Sequence, residues 1–124
     1  MAKILLIDDD EQVRLTIRTM LERIGHDVVE APDGAVGVEM FRESPADLVI
    51  TDIVMPQKGG ITTIYELRRD YPDLRIIAMS GGGALRGTDY LEVARQIGAS
   101  RTINMPVEME ELREVVTELL SARD

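Results

Sequence analysis

Along this chain, short apolar runs alternate with longer stretches in which apolar residues recur every three or four positions. The runs occupy residues 3–7, 27–30, 46–51, 75–79 and 101–104 and are rich in Ile, Val and Leu. That is the pattern of strands buried on both faces of a sheet. Between the first two runs, Val13, Ile17, Met20, Leu21 and Ile24 form one apolar stripe at helical spacing, and Gly25 supplies a stop. The last stretch carries Leu112, Val115, Val116 and Leu119 on one face. Glu108, Glu110 and Glu111 lie near its start, where the helix dipole favours negative charge. Stretches 34–42, 61–71 and 86–97 are patterned less sharply, with Pro32, Pro45 and Pro72 falling in the connections.

Strand and helix segments in strict alternation predict repeated βα units and a parallel sheet. The expected architecture is α/β, a flavodoxin-like (βα)5 three-layer sandwich with strand order 2-1-3-4-5, spanning residues 1–124 as one domain. Right-handed crossovers put helices on both faces of such a sheet. Ligands then bind beyond the carboxyl ends of the strands where the order reverses, between the first and third.

Composition changes this picture little, and charge changes it more. A chain of 124 residues is long enough to bury a core without staples, and it contains no cysteine, so disulfides and thiolate chemistry are excluded. The apolar run from Ile4 to Ile7 is too short for a signal-peptide core or a membrane span. A cytoplasmic location is expected. The formal charge of −9 repels nucleic acid and anionic lipid, so neither is expected as a partner.

Much of that charge is solubilising surface, but the first strand ends in Asp8-Asp9-Asp10 and the third in Asp52. With the predicted order, Asp8, Asp9 and Asp52 converge on one pocket. Carboxylates held together are unfavourable unless a cation joins them, and hard oxygen ligands suit Mg²⁺. Helix capping is the simpler reading of these aspartates, and it is the one expected of Asp10. An aspartate is ionised at neutral pH and needs no base to act as a nucleophile, so a metal pocket and a phosphoryl-accepting carboxylate explain each other. The fourth strand ends in Ser80-Gly81-Gly82-Gly83, where a hydroxyl can donate to a phosphoryl oxygen.

The stretches Ile4-Leu5-Leu6-Ile7-Asp8-Asp9-Asp10 and Asp47-Leu48-Val49-Ile50-Thr51-Asp52-Ile53-Val54-Met55-Pro56 with Gly60, the Met79-Ser80-Gly81 turn, and Gly98-Ala99 together resemble the receiver domain of two-component response regulators. The resemblance covers nearly the whole chain. It implies Asp52 as phosphoacceptor, fed by a histidine kinase or phosphotransfer protein. It implies Asp9 as the direct Mg²⁺ ligand, Asp8 as the second acid and the carbonyl of Val54 as the third protein ligand. It further implies Ser80 as the hydroxyl that turns toward phosphate and Gly81 as the small residue that leaves access to it. Output would run to a protein partner over helix 4, strand 5 and helix 5, and a homodimer is compatible with the family. If the chain is complete at Asp124, without an output domain, output is expected through protein contact alone. Enzymatic activity is not expected beyond self-phosphorylation and self-dephosphorylation.

Two departures stand on the last strand. Pro106 matches the family's proline, but Met105 occupies the place of the lysine before it, and a thioether offers neither charge nor donor. Three acids would then share a pocket without a resident side-chain cation, and either a raised carboxylate pKa or a larger share of the compensation from the metal is expected. Arg101 lies roughly 13 Å along the strand from Met105, while Lys58 is read as a solvated loop residue within reach of the rim. Thr102 stands where an aromatic residue usually reports phosphorylation. An alternative is therefore a pseudo-receiver, an interaction module insensitive to phosphate. An aspartyl-phosphate hydrolase needs a cap and a late lysine that this chain lacks, and a flavin phosphate would be repelled by three aspartates. His26, the seven methionines and Tyr65, Tyr71 and Tyr90 read as turn, core and surface residues.

Overall fold

In the computed structural model, which describes residues 2–53, 59–80 and 87–121 and only the backbone within 87–91, every apolar run becomes a strand. The elements are β1 (Lys3–Ile7), α1 (Glu11–Ile24), β2 (Asp27–Ala31), α2 (Gly34–Glu43), β3 (Leu48–Asp52), α3 (Gly60–Asp70), β4 (Arg75–Ser80), α4 (Gly87–Ile97), β5 (Arg101–Asn104) and α5 (Met109–Ser121). The five strands form one parallel sheet in the order β2-β1-β3-β4-β5, as the pattern predicts.

The bounds of β1 and β5 coincide with the apolar runs, and pairing moves the others. β3 begins at Leu48, opposite Ile4, and not at Ala46. Asp47 stands just before it, its N–H donating to the Lys3 carbonyl at 2.8 Å and its Oδ2 accepting the Lys3 N–H at 2.9 Å. β2 and β4 each gain a residue because Ala31 pairs with Ile7 and Ser80 with Asn104. The middle helices shift by about one residue at their ends, within the usual fraying of such boundaries.

Two apolar layers hold the sheet. On one face Leu5, Ile7, Val49, Ile76 and Ala78 pack against Val38 and Phe41 of α2, Ile64 and Leu67 of α3 and Ala94 of α4. On the other, Ile4, Leu6, Ile50, Met79 and Ile103 pack against Ile17 and Leu21 of α1 and Leu112, Val115 and Val116 of α5. Alternation along each strand supplies both layers, so every strand end is held from two sides. α1 is set by its caps. The Asp10 side chain accepts the Gln12 and Val13 N–H groups, and Gly25 closes the helix in the left-handed region at φ 108°. Asp33 caps α2 in the same manner through the Val36 N–H.

Candidate functional site

The register fixes where the candidate residues meet. Ile7 pairs with Thr51, so Asp8 leaves β1 beside Asp52 at the end of β3. One carboxylate oxygen from each of Asp8, Asp9 and Asp52 lies within 4.8 Å of the other two. This is the crevice where the strand order reverses, as expected for an open parallel sheet. Thr51, fully buried beside Asp52, donates its hydroxyl to the Asp52 carbonyl at 2.9 Å.

Gly60 makes the approach of α3 to the Asp52 backbone possible. Its N–H donates to the Ile53 carbonyl at 2.8 Å, and a Cβ at this position would collide with the Asp52 carbonyl oxygen and the Ile53 backbone. Only a residue without a side chain lets the first turn of α3 seat directly under Asp52.

Asp8 is held at several points. Its N–H donates to the Ala31 carbonyl at 3.1 Å, its own carbonyl accepts Nη1 of Arg14 at 2.7 Å, and its Oδ1 accepts the Asp10 N–H at 2.8 Å. It is 3% exposed. Burial pushes its carboxyl up to about 6, the Asp10 N–H opposes the shift, the charges of Asp9 and Asp10 add to it, and Arg14 offsets a part. The raised pKa expected of this pocket is therefore present, with burial as its first cause and repulsion between acids as a smaller one. Asp9 is exposed and Asp52 half-buried, so the three carboxylates grade from interior to solvent.

Ser80 is buried at the end of β4, one residue past Met79, the partner of Asp52. Its carbonyl accepts the Met105 N–H at 2.9 Å, which brings the Met105 backbone alongside. The Met105 side chain packs against the α1/α5 core, as Val13, Met20, Leu119 and Leu120 also do. An apolar thioether thus extends that core where a lysine would carry its charge past it. Thr102 is half-buried on β5 opposite Ala78. Val54, Lys58, Gly81, Gly82 and Gly83 lie outside the described residues.

Arg101 forms an ion pair with Glu118 of α5. His26 begins the turn into β2 at the opposite edge of the sheet from the carboxylates, where its Nδ1 accepts the Ala2 N–H at 3.2 Å. The cation nearest Asp8 in the network is Arg14, which periodicity alone did not single out. The available signal was an arginine one turn inside a helix whose cap belongs to the acidic cluster, with Arg18 following at the next turn.

Residues 4–117 match the response regulator receiver domain family. The chain belongs to that family. It is 34% identical over 120 residues to the chemotaxis protein CheY of Bacillus subtilis, covering 96% of this chain and 98% of that one. It is 33% identical over 121 residues to the DNA-binding transcriptional regulator NtrC of Azospirillum brasilense, where 98% of this chain spans only 24% of the relative. A solved response regulator receiver domain protein from Clostridium thermocellum superposes with a TM-score of 0.89 at 29% identity, covering 98% of this chain and 95% of that one. The receiver fold and its place in two-component signalling follow from these likenesses. Among the described residues no helix is long and apolar enough to cross a membrane.

Proposed function

We propose that this receiver, as one unit over residues 1–124, is a Mg²⁺-dependent phosphoacceptor in which Asp52 takes a phosphoryl group from a histidine kinase or phosphotransfer protein in the cytoplasm. The observation that carries this reading is the convergence of Asp8, Asp9 and Asp52 at the carboxyl edge between β1 and β3. The donor set fits a hard divalent ion, being three carboxylate oxygens close enough to share one cation, with one of the acids already strained by burial. Asp9 and Asp52 would ligate directly, Asp8 would act from behind, and the Val54 carbonyl would complete the protein ligands. When bound, Mg²⁺ supplies the positive charge that lets an anionic nucleophile meet an anionic phosphoryl group.

The residues of the chain then divide the work. An Asp52 oxygen attacks phosphorus as the bond to the donor nitrogen breaks, and the electron pair leaves on the imidazole, which solvent protonates. The Thr51 hydroxyl, bonded to the Asp52 carbonyl, and the close seat of Gly60 against that carbonyl would fix the Asp52 backbone. Ser80 offers its hydroxyl to a phosphoryl oxygen, and Gly81 leaves room for it. Met105 adds no charge to that set. Output would pass to a protein partner over α4, β5 and α5, and turnover would be limited to the chain's own phosphorylation and dephosphorylation.

Incubation with Mg²⁺ and acetyl phosphate, followed by intact-mass measurement, tests this. The wild-type chain should gain one phosphoryl group, and Asp52→Asn should gain none. A wild-type chain that stays unmodified at high donor and metal concentration overturns the reading.

A further inference from the structure

The charged face of α1 carries a chain of ion pairs that ends on the acidic pocket. Arg14 donates from Nη1 to the Asp8 carbonyl at 2.7 Å and from Nε to Oε1 of Glu30 at 2.9 Å. Arg18 donates from Nη1 to Oε2 of the same glutamate at 2.5 Å and from Nε to Glu22 at 2.9 Å. Arg14 is the inner member, with a side chain only 16% exposed against 42% for Arg18. Glu30 is brought there by the sheet, since it pairs with Leu6 one residue before the Ala31 that holds the Asp8 N–H.

We propose that Arg14 is a positioning residue for the metal pocket, fixing the β1–α1 turn so that Asp8 and Asp9 face Asp52, with Glu30 orienting its guanidinium. Two hydrogen bonds hold the Asp8 backbone, the Ala31 carbonyl accepting its N–H and Arg14 donating to its carbonyl. With the peptide groups on both sides of its Cα held, the Asp8 side chain has a fixed origin, and its Oδ1 is tied in turn to the Asp10 N–H. A planar guanidinium can serve a carbonyl and a carboxylate at once, which an ammonium cannot do in the same geometry. Arg14 touches backbone and Glu30, not the reacting oxygens, so it acts through Asp8. Groups that orient metal ligands typically set affinity by tenfold or more. The Met105 side chain, packed against the α1/α5 core, supplies no charge to this pocket, which gives the Arg14 role added weight.

This inference rests on the proposed Mg²⁺ pocket, and the test separates the two. The chain has no tryptophan, so Mg²⁺ affinity is read by calorimetry, together with the rise in Tm that Mg²⁺ produces. Wild type is compared with Arg14→Met, Arg14→Lys, Glu30→Gln and Asp9→Asn. Arg14→Met should bind Mg²⁺ about tenfold more weakly and show a smaller Mg²⁺-induced rise in Tm. Arg14→Lys should fall between it and wild type, and Glu30→Gln should show a smaller loss of the same kind. A variant that is less stable without metal yet keeps wild-type Mg²⁺ affinity makes Arg14 a structural residue only and overturns the inference. Should Arg14→Met fail to fold, Glu30→Gln decides, and unchanged affinity there overturns the inference equally. Absence of Mg²⁺ binding by wild type, or binding unaltered in Asp9→Asn, instead removes the pocket itself.

Discussion

Asp8 lies 3% exposed with its carboxyl raised from 3.8 to about 6. The folded state therefore holds this proton more tightly than the unfolded chain. In metal-free protein the penalty is absent below about pH 4, grows as pH rises to about 6 and is then constant, with an upper size on the order of 3 kcal/mol. Glu30 shifts the opposite way, held low first by Arg18 and then by Arg14 against its burial, so its contribution is lost only below its ordinary value of 4.5. Between pH 4.5 and 6 the Asp8 contribution should dominate. Thermal melts in a chelator should show Tm falling across that window, and Asp8→Asn should flatten the fall while raising Tm at pH 7.5. A wild-type Tm that rises through the window would contradict the burial-driven shift. Met105→Lys belongs to the same scale. It removes a thioether packed against the α1/α5 core, costing roughly 1 kcal/mol in the chelator, and the new ammonium should strengthen the response to a phosphoryl mimic.

At the scale of elements, Arg68 of α3 ties the end of its own helix to the turn that follows α4. Arg68 donates from Nε and Nη2 to the Gly98 carbonyl at 3.1 and 2.7 Å and from Nη1 to the Pro72 carbonyl at 2.6 Å. Arg68→Ala leaves the Gly98 carbonyl without these donors, a loss of about 1–3 kcal/mol, which a drop in Tm of several degrees would register. Asp10→Ala should cost about 1 kcal/mol by uncapping α1. Element positions were largely legible in the sequence because each strand is an apolar run bounded by a charge, a turn or a cap. The start of β3 was not, since the apolar count includes Ala46 while the ladder begins only where Leu48 meets Ile4. The Arg14–Glu30 contact was invisible for a related reason. It joins a helix to a strand end through a register that no local pattern encodes.

On the scale of the whole molecule, the site was more legible than its support. Four strand ends, at Asp8, Asp52, Ser80 and Asn104, meet along one edge because parallel strands all point their carboxyl ends the same way. That much follows from strand order. What did not follow is that Met105 joins the α1/α5 core, so the last strand ends in packing and not in a charge directed at the pocket. A switch needs a ligand that distinguishes two states. With neither a lysine at Met105 nor a ring at Thr102, beryllofluoride with Mg²⁺ should produce backbone amide shifts that are small across α4, β5 and α5. They should be larger in Met105→Lys. Equal shifts in both chains would show that Met105 does not limit transmission.

The seat of α3 under Asp52 has a consequence for how this protein can be improved. Replacing a helical glycine by alanine ordinarily stabilises a fold by about 0.4–1 kcal/mol through the unfolded chain. At Gly60 the same change drives a methyl group into the Asp52 carbonyl. Gly60→Ala should therefore lower the rate of phosphoryl acceptance as well as Tm, readable by mass spectrometry against time. A search for hardier variants would find this position closed, because the void that weakens the helix is the space the acceptor's own backbone occupies.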